Sequence, residues 1–373
     1  MRKIIDKDSA FFSLLRGGLW GDEVVLTWSG SLNFPYIYQL AQEQSVVGLV
    51  AAGIERVVDN KFPKEDVLQI VGQTLQLEQN NTAMNYFIGC LFDDLRKRGI
   101  KTLLVKGQGI AQCYNKPLWR ASGDVDLFME EGDYFKAKSY LSSIAQSVGE
   151  ENPASLHLAI QINPWTVELH GTLRSGLGKR IDRVIDEVQE DTFKDARVRV
   201  WKNGNSEVLL PEPNNDVVFV FTHILGHFFM GGIGLRQVCD WCRLLWTYKK
   251  EIDVRLLETR LMKMGIMSEW KSFAALAVNT LGMPDEAMPL YSPSKKWVRK
   301  SNRILTLILE FGNFGHNRDN SYYQRYPFIV YKTISLLKNT WDSIRHFMIF
   351  PKDANRVWFI RLREGIKEVV KKK

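Results

Sequence analysis

Two aspartates separated by a single valine lie inside an otherwise apolar segment of this sequence. Asp124 and Asp126 belong to the stretch GDVDLFM, whose other residues are typical of a buried strand. Because side chains alternate along a strand, both carboxylates are expected on the same face. Burying a carboxylate is costly unless a cation or hydrogen-bond donors accompany it. The pair therefore predicts a divalent metal site for Mg²⁺, with Mn²⁺ as the alternative ion.

The repulsion between these two carboxylates also leads to an expectation about stability. Replacing either aspartate by asparagine removes one of two like charges and keeps the shape of the side chain. We therefore expect the Asp124→Asn and Asp126→Asn variants to fold, with melting temperatures equal to or slightly above that of the unchanged chain.

A third carboxylate is expected from a hairpin that follows. Residues 156–171 read LHLAIQINPWTVELHG, two alternating runs joined at Asn163-Pro164. In the second run, Glu168 and His170 share one face. Glu168 is the natural third ligand of a two-metal arrangement, in which one ion activates an attacking hydroxyl and the other stabilises a leaving pyrophosphate. His170 is a candidate for contacting a nucleotide or orienting the metal ligands.

A glycine-rich turn precedes the aspartates. The run IKTLLVKG predicts a short strand, Gly-Gln-Gly at 107–109 breaks it, and a short helix is predicted at 110–114. Such a turn exposes backbone N–H groups and can hold a phosphate. Lys106 and Arg120 can add positive charge, and the amide of Gln108 can donate a hydrogen bond. The predicted nucleotide-binding residues are Lys106, Gly107, Gln108, Arg120 and His170.

The order of these motifs resembles the polymerase-beta-like nucleotidyltransferase superfamily. It is most similar to a group of uncharacterised bacterial nucleotidyltransferases marked by an L-K-G turn, an R-x-x-G-D-x-D-L strand and a later E-x-H strand. The matching elements here are LVKGQG (104–109), RASGDVDLFM (120–129) and VELHG (167–171). Each motif is weak alone, but their order is more specific.

The resemblance implies roles for individual residues. Asp124 and Asp126 would bind Mg²⁺, Glu168 would be the third carboxylate, and the turn at Gly107 would face the nucleoside triphosphate. The sequence departs from the superfamily at Gln108, where a serine that helps to hold a phosphate is usual.

Three functions are compatible with these residues. The first is Mg²⁺-dependent transfer of a nucleotidyl group from an NTP such as ATP to a hydroxyl-bearing acceptor, with release of pyrophosphate. The second is a catalytically degenerate nucleotide-binding protein of the same fold, which Gln108 supports. The third is a metal-dependent D-x-D glycosyltransferase. About a hundred mainly helical residues precede the motif, which counts against this third function.

Two further pairs of polar residues have helical spacing. His223 and His227 lie four residues apart among apolar residues, which favours packed histidines over metal ligands. Arg236 and Asp240 have the same spacing and are expected to form an ion pair on one helix.

The patterns along the chain predict an α+β fold, with a small mixed sheet flanked by helices. We predict an N-terminal helical region (1–95), a nucleotidyltransferase core (96–210), a C-terminal helical domain (211–330) and a basic tail (331–373). PEPNND (211–216) is interpreted as a linker. Near the end of the first region, Glu78, with Asn80 and Asn81 nearby, is expected on a solvated helix face rather than at the site.

Composition and charge narrow the function classes further. The tail carries 11 Lys/Arg against 4 Asp/Glu, which accounts for +7 of the net charge of +8, so a nucleic-acid acceptor is possible but not favoured. No apolar run approaches the roughly 20 residues of a membrane span. The N-terminus lacks the apolar core of a signal peptide, and four irregularly spaced cysteines predict no disulfide framework. We therefore expect a cytoplasmic protein.

Overall fold

The computed structural model describes residues 9–26, 33–58, 62–153, 155–194, 197–315, 326 and 328–371. Within them, a five-stranded mixed sheet and a two-stranded hairpin are surrounded by helices, which confirms the predicted α+β fold. The helices are α1 (Ser9–Trp20), α2 (Phe34–Glu43), α3 (Val47–Ile54), α4 (Lys64–Lys97), α5 (Gly107–Ala111), α6 (Glu131–Ile144), α7 (Lys179–Lys194), α8 (Pro213–Met230), α9 (Leu235–Thr247), α10 (Val254–Met264), α11 (Met267–Asn279), α12 (Lys295–Phe311), α13 (Phe328–Phe347) and α14 (Pro351–Lys371).

The five-stranded sheet is built mainly from neighbouring segments of the chain. Its strands are β1 (Leu103–Val105), β2 (Val125–Phe128), β3 (Ser147–Val148), β4 (His157–Ile162) and β5 (Trp165–His170), in the spatial order β1-β2-β5-β4-β3. Strands β2 and β5 pair in parallel, and the other pairs are antiparallel. In the parallel pair, Asp126 lies beside Glu168, so the two predicted carboxylates occupy adjacent strands at the same level.

The predicted hairpin is confirmed, including the faces of its second strand. Val167 and Leu169 are buried, whereas Glu168 and His170 retain some exposure on the opposite face. This alternation matches a strand that covers a core on one side and borders a cavity on the other.

A second hairpin, absent from the sequence interpretation, packs beside the sheet. Strands β6 (Val198–Asn203) and β7 (Ser206–Pro211) are joined by two residues, the first of which is Gly204 with φ +60°. The Gly-Asn pair at 204–205 that joins the strands is a hairpin signal that the sequence contains.

The predicted linker at 211–216 is wrong. Pro211 ends β7, and Pro213 begins α8, in which Asn215 and Asp216 are buried. Proline is favoured in the first turn of a helix, and an acidic residue there interacts well with the helix dipole. The same residue types that suggested a linker therefore start a helix.

Two hydrophobic cores hold these elements together. The smaller core joins the sheet to α6 and to the second half of α4 through Ile88, Leu91 and Leu95. The larger core extends from Phe11 in α1 to Val357 in α14, so the first and last helices pack into one interior. No described helix is both long and apolar enough to cross a membrane.

The contact between α3 and the segment before β2 is very close. Gly48 of α3 faces a 3₁₀ turn formed by Pro117–Trp119, which leads directly to the aspartate strand. A Cβ atom at this glycine would collide with the backbone carbonyl of Trp119. The approach of the two backbones therefore requires glycine.

We predict that Gly48→Ala lowers the free energy of unfolding by about 1–3 kcal/mol, because the added methyl group forces two backbones apart. Gly72→Ala is the matched control, since Gly72 lies in α4 with no atom within 4 Å of an added Cβ. That control should gain up to about 1 kcal/mol from helix propensity. Urea denaturation measures the free energy of unfolding of both variants. Equal changes in Gly48→Ala and Gly72→Ala would contradict the close approach of the two backbones.

Candidate active site

Three of the predicted residues come together at one end of β2 and β5. Asp126 and Glu168 are neighbours in the parallel register, and Asp124 directly precedes β2. One carboxylate oxygen from each of the three lies within 4.8 Å of the others. Three carboxylates this close form an oxygen-rich cluster with the donor set that Mg²⁺ prefers.

Two positively charged or proton-donating groups contact the most buried carboxylate. Asp126 is only 2% exposed, and its Oδ1 lies 2.5 Å from Lys106 Nζ. The same oxygen accepts a hydrogen bond from His170 Nε2 at 2.9 Å, and His170 Nε2 lies 3.6 Å from Glu168 Oε2. On the outer side, His157 Nε2 is 3.2 Å from Glu168 Oε2. The cluster is therefore partly neutralised by the chain itself.

These contacts separate the pKa values of the three acids. Burial alone would raise the pKa of Asp126, but Lys106 and His170 outweigh burial and hold that pKa below its usual value. Hydrogen bonds from His157 and His170 hold the pKa of Glu168 well below its usual range. In contrast, burial and the negative charges of Asp126 and Glu168 raise the pKa of Asp124. Asp124 is thus the acid with the least compensated charge.

The glycine-rich segment differs from its predicted form. The helix expected at 110–114 begins three residues earlier, so Gly107 and Gly109 are part of α5 and are buried. The chain reverses at Lys106, which has φ +58°, and Gly107 follows with φ +40°. A positive φ is favourable for Gly107 but unfavourable for a lysine, so the fold holds Lys106 in a strained backbone conformation between β1 and α5, with its ammonium next to the carboxylates.

The amide nitrogen of Gln108 is hydrogen-bonded within the protein. Its side chain is buried, and its Nε2 donates to Asn81 Oδ1 at 2.7 Å. Asn81 Nδ2 in turn donates to the carbonyl oxygens of Leu118 and Arg120, at 2.7 and 2.8 Å. Asn81, which the sequence interpretation noted only as a neighbour of Glu78, is buried, and its amide joins α4 to α5 and to the segment before β2.

Arg120 also binds a partner within the protein. Its guanidinium is buried and binds the Asp240 carboxylate through two hydrogen bonds, at 2.9 and 2.7 Å. Tyr114 donates a third bond to Asp240 at 2.7 Å. The predicted pairing of Arg236 with Asp240 is therefore replaced by a pair with Arg120, and Arg236 donates to the carbonyl oxygen of Ala121. The charge of Arg120 is therefore paired with Asp240, and Asp124 of the cluster also contributes to raising the pKa of Arg120.

A cavity of about 330 Å³ opens beside the cluster. The side chains of His223 and His227 line it, with their ring centroids 4.4 Å apart. Burial, and then the charge of Lys106, lowers the pKa of both histidines. The sequence interpretation treated them as packing residues and missed their place on the cavity wall. Other polar residues that line it are Ser155, His157, Thr172, Arg174 and Ser175.

A sequence profile of the family described as Uncharacterised nucleotidyltransferase matches residues 30–282 of this chain. The chain belongs to this nucleotidyltransferase family. The match spans every residue of the carboxylate cluster and the cavity wall. The predicted resemblance and the classification as a nucleotidyltransferase are thereby confirmed. Comparison with curated proteins and with solved structures gave no match.

One residue of this candidate site was missed although the sequence contained a signal for it. The hairpin turns at Asn163-Pro164, and counting outward from that turn pairs His157 directly with His170. Directly opposed residues of an antiparallel pair lie on the same face. His157 could therefore have been placed on the face of Glu168 and His170.

The site geometry corrects the expected stability of the aspartate variants. Asp126→Asn leaves the ammonium of Lys106, whose side chain is only 17% exposed, without its closest carboxylate partner, so we predict a loss of about 3 kcal/mol in the free energy of unfolding. Asp124→Asn removes the carboxylate whose ionised form the fold disfavours, so its stability should hold or rise slightly. Urea denaturation at neutral pH measures both, and equal stabilities would contradict the proposed compensation.

The difference in unfolding free energy between the unchanged chain and Asp126→Asn should depend on pH. The pKa of Asp126 is lowered on folding, so its stabilisation is present above the unfolded-state pKa and is lost as the pH falls through the folded-state pKa. The stability difference between the unchanged chain and Asp126→Asn should therefore shrink in acid. A difference that grows in acid would contradict this sign.

Proposed function

We propose that this chain transfers a nucleotidyl group from an NTP to a hydroxyl-bearing acceptor in a Mg²⁺-dependent reaction that releases pyrophosphate. The observation that carries the proposal is the convergence of Asp124, Asp126 and Glu168 from two adjacent strands. Membership of the nucleotidyltransferase family supports the reaction class.

The donor set supports a hard divalent cation. All three ligands are carboxylates, and burial together with the charges of Asp126 and Glu168 raises the pKa of Asp124, an effect that a bound cation would oppose. Mg²⁺, or Mn²⁺ in its place, would be held by Asp124, Asp126 and Glu168. When bound, such ions activate an attacking hydroxyl and stabilise negative charge on the phosphates and the leaving pyrophosphate.

Lys106 and Gly107 are the proposed contacts for the triphosphate. Lys106 brings a mostly buried ammonium group to the edge of the carboxylate cluster, and Gly107 begins α5 immediately after it. Ammonium groups bind phosphate oxygens as compact point charges. His170 orients Asp126 and Glu168 through its hydrogen bond and close contact. We leave Gln108 and Arg120 out of the nucleotide site because Asn81 and Asp240 already bind them.

The cavity is the proposed place for the acceptor hydroxyl. Glu168 and His170 belong both to the cluster and to the cavity wall, so an acceptor bound there would approach the carboxylates. The strongly lowered pKa of Glu168 makes it a poor proton acceptor. Burial also lowers the pKa of His223 on the cavity wall, so this histidine is a poor proton acceptor as well, and a bound cation would activate the hydroxyl instead.

The alternatives differ in how they fit these observations. The D-x-D glycosyltransferase is set aside because the chain belongs to a nucleotidyltransferase family. The degenerate binding protein was supported by Gln108, but the buried amide of this residue joins Asn81 and has a structural explanation. The three carboxylates that a working site needs are all present. Catalysis therefore fits better than binding alone.

A nucleotide-binding and turnover experiment tests the proposal. Calorimetry should show NTP binding that is lost with chelator, and Asp124→Asn should lose it as well because the cation loses a ligand. Pyrophosphate release from labelled NTPs, with cell extract as the source of acceptor, should fall by about 10²-fold or more in Asp124→Asn and Glu168→Gln.

Asp285→Asn is the control, since Asp285 is an exposed aspartate on a short 3₁₀ turn remote from β2 and β5 in the sequence. It should behave as the unchanged chain. Wild-type turnover in both cluster variants would contradict the proposed roles. NTP binding without turnover for any NTP would favour the degenerate binding protein.

A further inference from the structure

A second set of potential metal ligands lies on the outer side of the carboxylate cluster. His157 Nε2, Glu168 Oε2 and His170 Nε2 lie within 4.8 Å of one another. Glu168 is shared with the aspartates, whereas His157 belongs to the new set alone. All three side chains line the cavity, so the space between them is open to a ligand from solvent.

The separations match those of ligands on one ion. Glu168 Oε2 is 3.2 Å from His157 Nε2 and 3.6 Å from His170 Nε2. Transition metals bind imidazole nitrogen and carboxylate oxygen at about 2.0–2.2 Å, which places two ligands of the same ion roughly 3.0–3.4 Å apart. The third pair, His157 Nε2 and His170 Nε2, lies within 4.8 Å, so shifts of no more than about 1.5 Å would bring all three atoms onto one ion.

The strands hold the ligands at fixed positions. His157 and His170 are directly opposed in the antiparallel β4–β5 pair, with ring centroids 4.8 Å apart. Glu168 lies two residues from His170 on the same face of β5. Ligands carried by paired strands lose little conformational freedom on binding, in contrast to ligands carried by a loop.

The chemistry of this set differs from that of the aspartate cluster. Two imidazoles and one carboxylate form a ligand set that leaves coordination positions open, as in catalytic zinc sites and non-haem iron sites. Mg²⁺ prefers oxygen ligands, whereas imidazole favours first-row transition metals. The shared Glu168 would thus bridge a site selective for Mg²⁺ and a site selective for a transition metal.

We propose that His157, Glu168 and His170 bind a first-row transition-metal ion, in the class from Fe²⁺ to Zn²⁺. The ion takes the place of the proton that His170 now donates to Asp126, and Lys106 remains to compensate Asp126. Its position beside the cavity suits it to bind the acceptor through its open coordination sites. That catalytic role rests on the proposed function, whereas the binding of the ion does not.

Titration with Co²⁺ in the absence of nucleotide tests the site directly, because the visible spectrum of Co²⁺ reports nitrogen ligation. The unchanged chain should bind Co²⁺, Zn²⁺ should displace it, and excess Mg²⁺ should not. His157→Gln should weaken Co²⁺ binding by about tenfold or more. His223→Gln is the matched control, since it removes a histidine from the same cavity but outside the set, and should retain the affinity.

Unchanged Co²⁺ affinity in folded His157→Gln would overturn the inference. So would a loss confined to Asp124→Asn, because that result places the ion among the aspartates. If His157→Gln fails to fold, as judged by circular dichroism, X-ray absorption of the Zn²⁺-loaded unchanged chain decides instead. Two imidazole nitrogens on the ion are the expected result, and oxygen ligands alone would overturn the site.

The outcome can be separated from that of the proposed function. Mg²⁺-dependent NTP binding that depends on Asp124, without nitrogen-ligated Co²⁺, would leave the proposed function standing and refute only this second site. Nitrogen-ligated Co²⁺ that depends on His157, without any NTP binding, would support the metal site and refute the nucleotidyl transfer.

Discussion

The site depends on one constraint: three carboxylates that repel one another lie within 4.8 Å in a largely buried position. Asp126 is held at the centre by the ammonium of Lys106 and the imidazole of His170, and Glu168 is held from outside by His157. These contacts neutralise the cluster only in part, because the pKa of Asp124 remains raised by burial and by the two neighbouring charges. The contacts with Lys106 and the two histidines stabilise the cluster without a cation, and its remaining negative charge favours binding one.

The surrounding fold holds this cluster through buried polar contacts. Asn81 fastens α4 to the segments on either side of the site, and Arg120 binds Asp240 of α9 just before the aspartate strand. A buried ion pair of this kind contributes little net stability, but removing one partner is costly because the other charge is left unpaired. The contacts therefore fix where β2 begins and, with it, the position of Asp124.

The part of the site that depends on local geometry could be predicted from the sequence. The alternation of side chains along a strand is enough to place Asp126 and Glu168 on polar faces, and hairpin counting would also have placed His157. The partners of Gln108 and Arg120 could not be predicted in this way. Each binds a residue at least 27 positions away in the chain, and such pairings are decided by the packing of distant helices.

In the fold as well, features set by local sequence patterns could be predicted, whereas features set by tertiary contacts could not. Regular periodicity identified α4, the hairpin of β4 and β5, and the α+β class. The segment 211–216 was misinterpreted because proline and asparagine are common both in linkers and in the first turn of a helix. The burial of Asn215 and Asp216, which distinguishes the two, is a tertiary property.

The most direct measurement of the central claim is a crystal structure of the chain with Mn²⁺ and a non-hydrolysable NTP. Anomalous scattering should place an ion among the oxygens of Asp124, Asp126 and Glu168. Lys106 Nζ, now 2.5 Å from Asp126 Oδ1, should leave that oxygen and contact a phosphate once the ion supplies the compensating charge. A nucleotide bound away from this cluster, with Lys106 still on Asp126 and no ion beside it, would contradict the account.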